Sequence, residues 1–258
     1  MIRPQYEVPL SDGEIAEILV QCGTEALLVG GQALAIWAEY LQVRPTGVLS
    51  AIVTADADFV GSRQLAKKLS AALGWHLYLP TAENATPQTA KVSTTLPDGG
   101  VKQIDFLNAV VGLDTVKIQA RAAELQLRSG TRVRIMSPLD VLESRLRNLD
   151  ILPGKRNSIG IAQAELAIAV VGKFFAALIE SKVKLRTILD AVKRVSQIAF
   201  DPRLSKVCFE YGLNPLVAVP SSSIESPEFQ KKRWPQILVR AEMRKRKHIK
   251  RAARIAAL

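Results

Sequence analysis

The spacing of apolar positions changes character near residue 136. "SDGEIAEILVQCG" sets apolar residues at helical spacing behind Ser11, with acids in the first turn and Gly23 after the end, and predicts a helix. "EALLVGG" is a short unbroken apolar run and predicts a buried strand ending in Gly30-Gly31. Ala33, Leu34, Trp37, Tyr40 and Leu41 then recur three and four apart, the apolar face of a second helix with Trp37 and Tyr40 in the core. "TADADFVG" predicts the next strand, and Ser62 caps the helix "RQLAKKLSAALG". Three strands follow, "WHLYLP", "AKVSTTL" and "VKQIDFLNAV", the last two joined by "PDGG", a hairpin signal. "AELQLRSGTRVRIM" alternates on both sides of Ser129-Gly130 and predicts another hairpin.

From Ser137, a helix cap with Pro138 at the first helical position, the pattern is helical. Helices are expected over 138–149, 158–181, 183–199 and about 201–211, with "LPGKRNS" as the loop between the first two. "YGLNPLVAVPSSSIESPEF" reads as a loop from its Pro and Ser content. The fold class is therefore α+β, a mixed sheet with flanking helices followed by an all-helical C-terminal region. The expected division is 1–136, 137–227 and a basic extension, 228–258. No internal repeat is visible.

Composition narrows the class. The chain has 258 residues, 48% of them hydrophobic, enough to build a substantial core. "MIRPQYEVPLSDGE" lacks the basic-then-apolar pattern of a signal peptide. Gln163, Glu165 and Lys173 interrupt the longest apolar stretch, Ile159 to Glu180, so it reads as a buried helix and no membrane partner is expected. Cys22 and Cys208 lack metal-ligand or disulfide spacing, which points to the cytoplasm. The net charge is +11, and residues 228–258 hold eleven Lys and Arg against Glu228 and Glu242, so almost all of the excess lies in this tail.

Asp56 and Asp58 raise the chemical question. Side chains alternate along a strand, so both point to one face with Cα atoms roughly 6.5–7 Å apart, while Ala55 and Ala57 point to the core. Strands disfavour Asp, and two converging carboxylates repel unless a cation sits between them. Mg²⁺ suits such oxygen ligands and shares its shell with phosphates. Asp105, between the core-facing Ile104 and Phe106, offers a third acid and room for a second ion. Glycines at a strand-to-helix junction permit close approach of phosphate to the helix start, which gives Gly30 and Gly31 a role.

The order "VGGQALAIWAEY", "TADADF", "QIDFL" resembles the nucleotidyltransferase superfamily, the minimal polymerase-beta-like fold, over roughly residues 25 to 150. Its spacing is most similar to the AbiEii-type toxins and related bacterial proteins. The resemblance implies a catalytic domain over 1–136, in which Asp56, Asp58 and Asp105 ligate two Mg²⁺ ions and Asp105 orients or deprotonates an attacking hydroxyl. It implies that Gly30, Gly31 and the following backbone cradle the β- and γ-phosphates of an NTP. Two positions depart from the pattern: Gln32, a longer and differently aimed donor, stands where Ser or Thr is common, and Arg145, still able to pair with phosphate, stands where toxin-type relatives carry Lys.

The implied activity is transfer of an NMP from an NTP to an acceptor hydroxyl. The tail, with Lys231, Lys232, Arg233, Arg244, Lys245, Arg246 and Lys247, is either a solvated extension or a surface for RNA, which makes tRNA an expected acceptor. The toxin-like spacing implies a toxin–antitoxin setting and an antitoxin protein as partner. The rival expectation is an inactive nucleotidyltransferase-fold module that binds nucleic acid or protein. A small-molecule transferase is a further rival, but the helical region shows no acidic cluster for a cationic acceptor. His76 and His248 read as a strand residue and a solvated tail residue.

Overall fold

A computed structural model of the chain describes residues 6–44, 56–81, 86–127 and 129–256, the side chains of 255 and 256 excepted. Its N-terminal half holds a mixed sheet of β1 (Tyr6–Glu7), β2 (Leu27–Val29), β3 (Ala57–Val60), β4 (His76–Tyr78), β5 (Gln88–Thr95), β6 (Gly100–Leu107), β7 (Ala123–Gln126) and β8 (Arg132–Ile135). The spatial order is β4-β5-β6-β3-β2-β8-β7, with β1 pairing parallel to the start of β6. β3 runs parallel to β6 and antiparallel to β2, so the centre of the sheet is built by strands far apart in sequence.

Helices α1 (Asp12–Cys22), α2 (Gly30–Tyr40), α3 (Arg63–Leu73) and α4 (Thr115–Ala120) flank the sheet. Their ends follow local chemistry. Ser11 and Glu14 close a capping box on α1, and Ser62 accepts from the Leu65 N–H at the start of α3. Gly74 ends α3 at φ +67°, a left-handed conformation that glycine adopts without strain. Then come α5 (Pro138–Ile151), α6 (Ser158–Glu180), α7 (Leu185–Phe200), α8 (Pro202–Glu210) and α9 (Trp234–Ala256). Ser137, Asn157 and Asp201 cap α5, α6 and α8.

The α+β architecture of a mixed sheet followed by helices is as the apolar pattern predicts. One connected core joins Leu27, Leu28, Phe59, Phe106 and Ile135 of the sheet to Leu142, Leu146, Val171, Phe175 and Val195 of the helices. Each such buried side chain stabilises the fold by roughly 1.5–3 kcal/mol. α6 is long and apolar enough to cross a membrane, with a mean hydropathy of 1.7, yet half of it is buried within the protein, packed on α5 and α2.

Several local expectations are corrected. β1 and α4 have too few residues to show a period, and α4 is set by its Asp114 cap. Residues 211–229 are not a loose loop: Leu216, Val219, Ile224 and Phe229 are buried, and Pro and Ser only tighten the turns between them. Tyr40 is 53% exposed, its ring edge-on to Trp37, whereas Trp37 is buried and donates Nε1–H to the Met136 carbonyl at 2.8 Å. The strand carrying the acidic pair begins at Ala57, and Ala55 lies outside the described residues.

The tail is helical. α9 rests on α7 and α8 through a stripe of Trp234, Ile237, Ala241, Arg244 and His248, spaced three and four apart. Arg240 and Arg244 lie over the Phe200 ring at 4.4 and 5.7 Å, and Arg244 donates to Ser205 Oγ at 3.3 Å. His248 is not solvated: it stacks on Phe209 at 5.4 Å, with Nε2 3.2 Å from Ser205 Oγ.

A buried ion-pair network holds α5 in place. Asp140, fully buried, accepts two hydrogen bonds from Arg121 at 3.0 and 2.7 Å and one from Arg194 at 3.3 Å. Glu143 pairs with Arg147 at 3.2 Å and with Arg194, and Arg147 reaches Asp201 at 2.9 Å. The network ties α5 to the end of α4, to α7 and to the start of α8.

Candidate active site

The parallel register of β3 and β6 sets Asp58 beside Asp105, and Ala57 and Phe59 beside Ile104 and Phe106. Alternation sends the second set to the core, where Phe59 and Phe106 stack at 5.8 Å. It sends both aspartates to the other face. Asp56, one residue before β3, completes the group: one carboxylate oxygen from each of Asp56, Asp58 and Asp105 lies within 4.8 Å of the other two. Ligand oxygens on one octahedral Mg²⁺ stand roughly 3–4 Å apart, so the group is close to the spacing that a divalent ion requires.

The electrostatics fit a cation. Burial pushes the Asp58 carboxyl up to about 7, and the charges of Asp56 and Asp105 push it the same way. Asp105 is 8% exposed, and burial raises it too, against the pull of Lys91 and a hydrogen bond from Gln88. Its Oδ1 is buried without a hydrogen-bond partner. An acceptor oxygen left this way is costly unless a ligand satisfies it. An oxygen-only donor set suits Mg²⁺.

Gly30 and Gly31 form the first turn of α2. Gly30 sits at φ +70° directly against the Asp58 carboxylate. The preceding Val29 pairs with Asp58 across the sheet and offers no side-chain cap, so the N–H groups and positive dipole of α2 begin beside the acids. Gln32, one residue on, is buried.

Arg145 reaches the site from α5 and is buried at 7% exposure. Its Nη1 donates to Gln163 Oε1 at 3.2 Å and its Nη2 to Ser144 Oγ at 3.4 Å, and Nε has no partner. Burial lowers its pKa, opposed by the charges of Asp58 and Asp56, and its own charge favours the ionised form of Asp58. Arg145 is thus a buried cation whose field reaches the acids.

Two cations near the acids carry no sequence motif. Lys155, in the short turn after α5, also favours the charged form of Asp58. Its turn lies against Gly160, where a side chain would collide with the Lys155 carbonyl. Lys91 faces Asp105 from β5, Nζ 3.8 Å from Oδ1.

Comparison with known proteins adds little. No protein family and no curated protein matches the chain. Among solved structures, JHP933 from Helicobacter pylori aligns over 96% of this chain and 98% of its own, at 12% identity and a TM-score of 0.34. A likeness at that level carries no argument about this chain, and the functional reading rests on the site.

Of the residues singled out from sequence, Asp56, Asp58 and Asp105 converge, Gly30 lies against Asp58, and Arg145 acts on the acids by its charge. Lys231, Lys232 and Arg233 are exposed at the base of α9, and Lys245, Arg246 and Lys247 are exposed along it. Arg244 faces the bundle instead.

Proposed function

We propose that the protein is a Mg²⁺-dependent nucleotidyltransferase, moving an NMP from an NTP to an acceptor hydroxyl. The observation that carries this reading is the convergence of Asp56, Asp58 and Asp105 on one face of the sheet, next to the uncapped start of α2. A module that only bound nucleic acid or protein would gain nothing from three mutually repelling, partly buried carboxylates. Bound Mg²⁺ would supply charge neutralisation at the phosphates.

The chain's own residues account for the rest. The acceptor oxygen forms a bond to the α-phosphorus while the bond from that phosphorus to the bridging oxygen breaks, releasing pyrophosphate. Asp105 orients the acceptor hydroxyl and can take its proton. The backbone at Gly30 and Gly31 holds the β- and γ-phosphates by its N–H groups. The charge of Arg145 partly offsets the burial of Asp58, and positioning with charge stabilisation does most of the work.

The acceptor we infer is RNA, with tRNA the first to test, because the exposed cations of α9 suit a phosphate backbone. The buried free Cys22 and Cys208 suit a reducing compartment, so the cytoplasm is the proposed location. A toxin–antitoxin role with a protein antitoxin follows from the sequence resemblance alone.

The test is incubation with Mg²⁺, each α-labelled NTP and a total tRNA pool, beside the Asp56→Ala/Asp58→Ala double variant. Label transferred to RNA by the wild type and not by the variant is expected. Absence of transfer together with absence of Mg²⁺–NTP binding in calorimetry would overturn the reading.

A further inference from the structure

Asp105 has a neighbour that the other two acids lack. The β5–β6 hairpin pairs Lys91 with Asp105, and the Lys91 Nζ is 3.8 Å from Asp105 Oδ1, the buried oxygen without a hydrogen bond. Among the described residues, no Lys or Arg nitrogen comes within ion-pair distance of Asp56 or Asp58.

Lys91 is also held there. Its Nζ donates to Gln103 Oε1 at 3.0 Å, and Gln103 Nε2 donates to Glu7 Oε1 at 3.0 Å. Glu7 belongs to β1, the two-residue strand that pairs with the start of β6. The relay runs from β1 through β6 to β5, so the ammonium is fixed beside the third acid.

We propose that Lys91 occupies the charge-balancing place of a second divalent ion, so that this site takes one ion, on Asp56 and Asp58, with Asp105 kept as the acceptor-side group. The inference rests on the metal reading above and revises the expectation of two ions. An ion bound to Asp105 would sit roughly 2.1 Å from its oxygen. It would then face an ammonium a few ångströms away that shares the same carboxylate. Two cations so placed repel, and the Gln103–Glu7 relay keeps Lys91 from swinging aside. Arg145 and Lys155 act on Asp58 only through their fields, Arg145 being bonded to Gln163, and among the described residues neither forms an ion pair with Asp56 or Asp58. Lys91 is on this view a positioning residue for Asp105.

The test counts ions by electron paramagnetic resonance. The full chain, saturated with an equimolar non-hydrolysable NTP analogue, is titrated with Mn²⁺, and binding is read from the loss of the free-ion six-line signal. The wild type should bind one Mn²⁺ per complex with no spin coupling. Lys91→Met, which keeps the stem and removes the charge, should bind two, with the coupling expected of ions about 3.5–4 Å apart. Lys91→Gln serves if the Met variant does not fold by circular dichroism, and Lys91→Arg should bind one. Two coupled ions in the wild type, or one ion in both charge-removed variants, would overturn the inference and leave the nucleotidyltransferase reading standing. No bound Mn²⁺ in the wild type would overturn both.

Discussion

Gly30 and Asp58 occupy space that only a glycine leaves open. A Cβ built on Gly30 would overlap Oδ2 of Asp58 and lie 3.0 Å from its Cγ, and Gly30 has φ +70°. Gly30→Ala should therefore do two separable things: cost roughly 1–2 kcal/mol for the left-handed backbone, and displace the Asp58 carboxylate. Gly74→Ala is the control, because Gly74 has φ +67° and open space around it. Both variants should lose similar stability in urea titrations. Only Gly30→Ala should lose Mg²⁺ binding in calorimetry and nucleotidyl transfer. Equal metal affinity in the two variants would show that the close contact with Asp58 has no functional weight.

Asp58 makes the site pH-dependent in a defined direction. Its carboxyl titrates at about 7 in the folded, metal-free chain, because of burial and then Asp56 and Asp105, against about 3.9 when unfolded. Between these values the folded state holds a proton that the unfolded state has released. This group's contribution to stability therefore falls as pH rises from about 4 to 7 and is level above that. Metal-free melting temperature should decline across that window through this group. Mg²⁺ must displace the proton, so its affinity should rise about tenfold between pH 6 and pH 8. Asp58→Asn should shrink the decline in melting temperature to what Asp105, also raised by burial, contributes, and a flat affinity profile in the wild type would rule out the raised pKa of Asp58.

How much of this was legible in the chain depends on the length of the contact. The "PDGG" turn pairs Leu96 with Gly100, and counting outwards from it places Lys91 opposite Asp105, so the third acid's neighbour could have been read from the hairpin. The alignment of Asp58 with Asp105 could not. It joins strands 47 residues apart through a parallel register that no local turn dictates. Arg145 was visible as a basic residue on a helix, but its approach to the acids depends on α5 being fixed by Asp140, Glu143 and Arg147 to partners at the end of α4, on α7 and at the start of α8. Lys155 depends on the close fit of its turn against Gly160. The packing of α9 was obscured by its charge, because its stripe uses Arg244 and His248 where a core-facing position is ordinarily apolar.

Asp140 is the structural keystone of α5. It is fully buried and answers both Arg121 and Arg194. Removing it leaves the partly exposed Arg121 without its carboxylate and Arg194 with Glu143 alone, at a cost of about 1.5–3 kcal/mol. Asp140→Ala should lose stability in that range in urea titrations. Because α5 carries Arg145, Mg²⁺ affinity at a temperature where the variant is still folded should also fall. Stability within about 0.5 kcal/mol of the wild type would mean that the network adds nothing.

The charges of α9 divide by direction, and the division predicts two phenotypes. Lys245, Arg246 and Lys247 are exposed, while Arg244 covers Phe200 and donates to Ser205. If RNA is the acceptor, the triple variant Lys245→Ala/Arg246→Ala/Lys247→Ala should weaken binding to all RNA sequences alike. The slope of log affinity against log salt should fall by about 1 for each phosphate contact removed. Its melting temperature should stay close to that of the wild type, since exposed cations contribute little to folding. Arg244→Ala should do the reverse, lowering the melting temperature through the lost ring and hydroxyl contacts while changing the salt slope little. Fluorescence anisotropy with a labelled RNA at several salt concentrations separates the two, and an unchanged slope in the triple variant would remove α9 as the RNA surface.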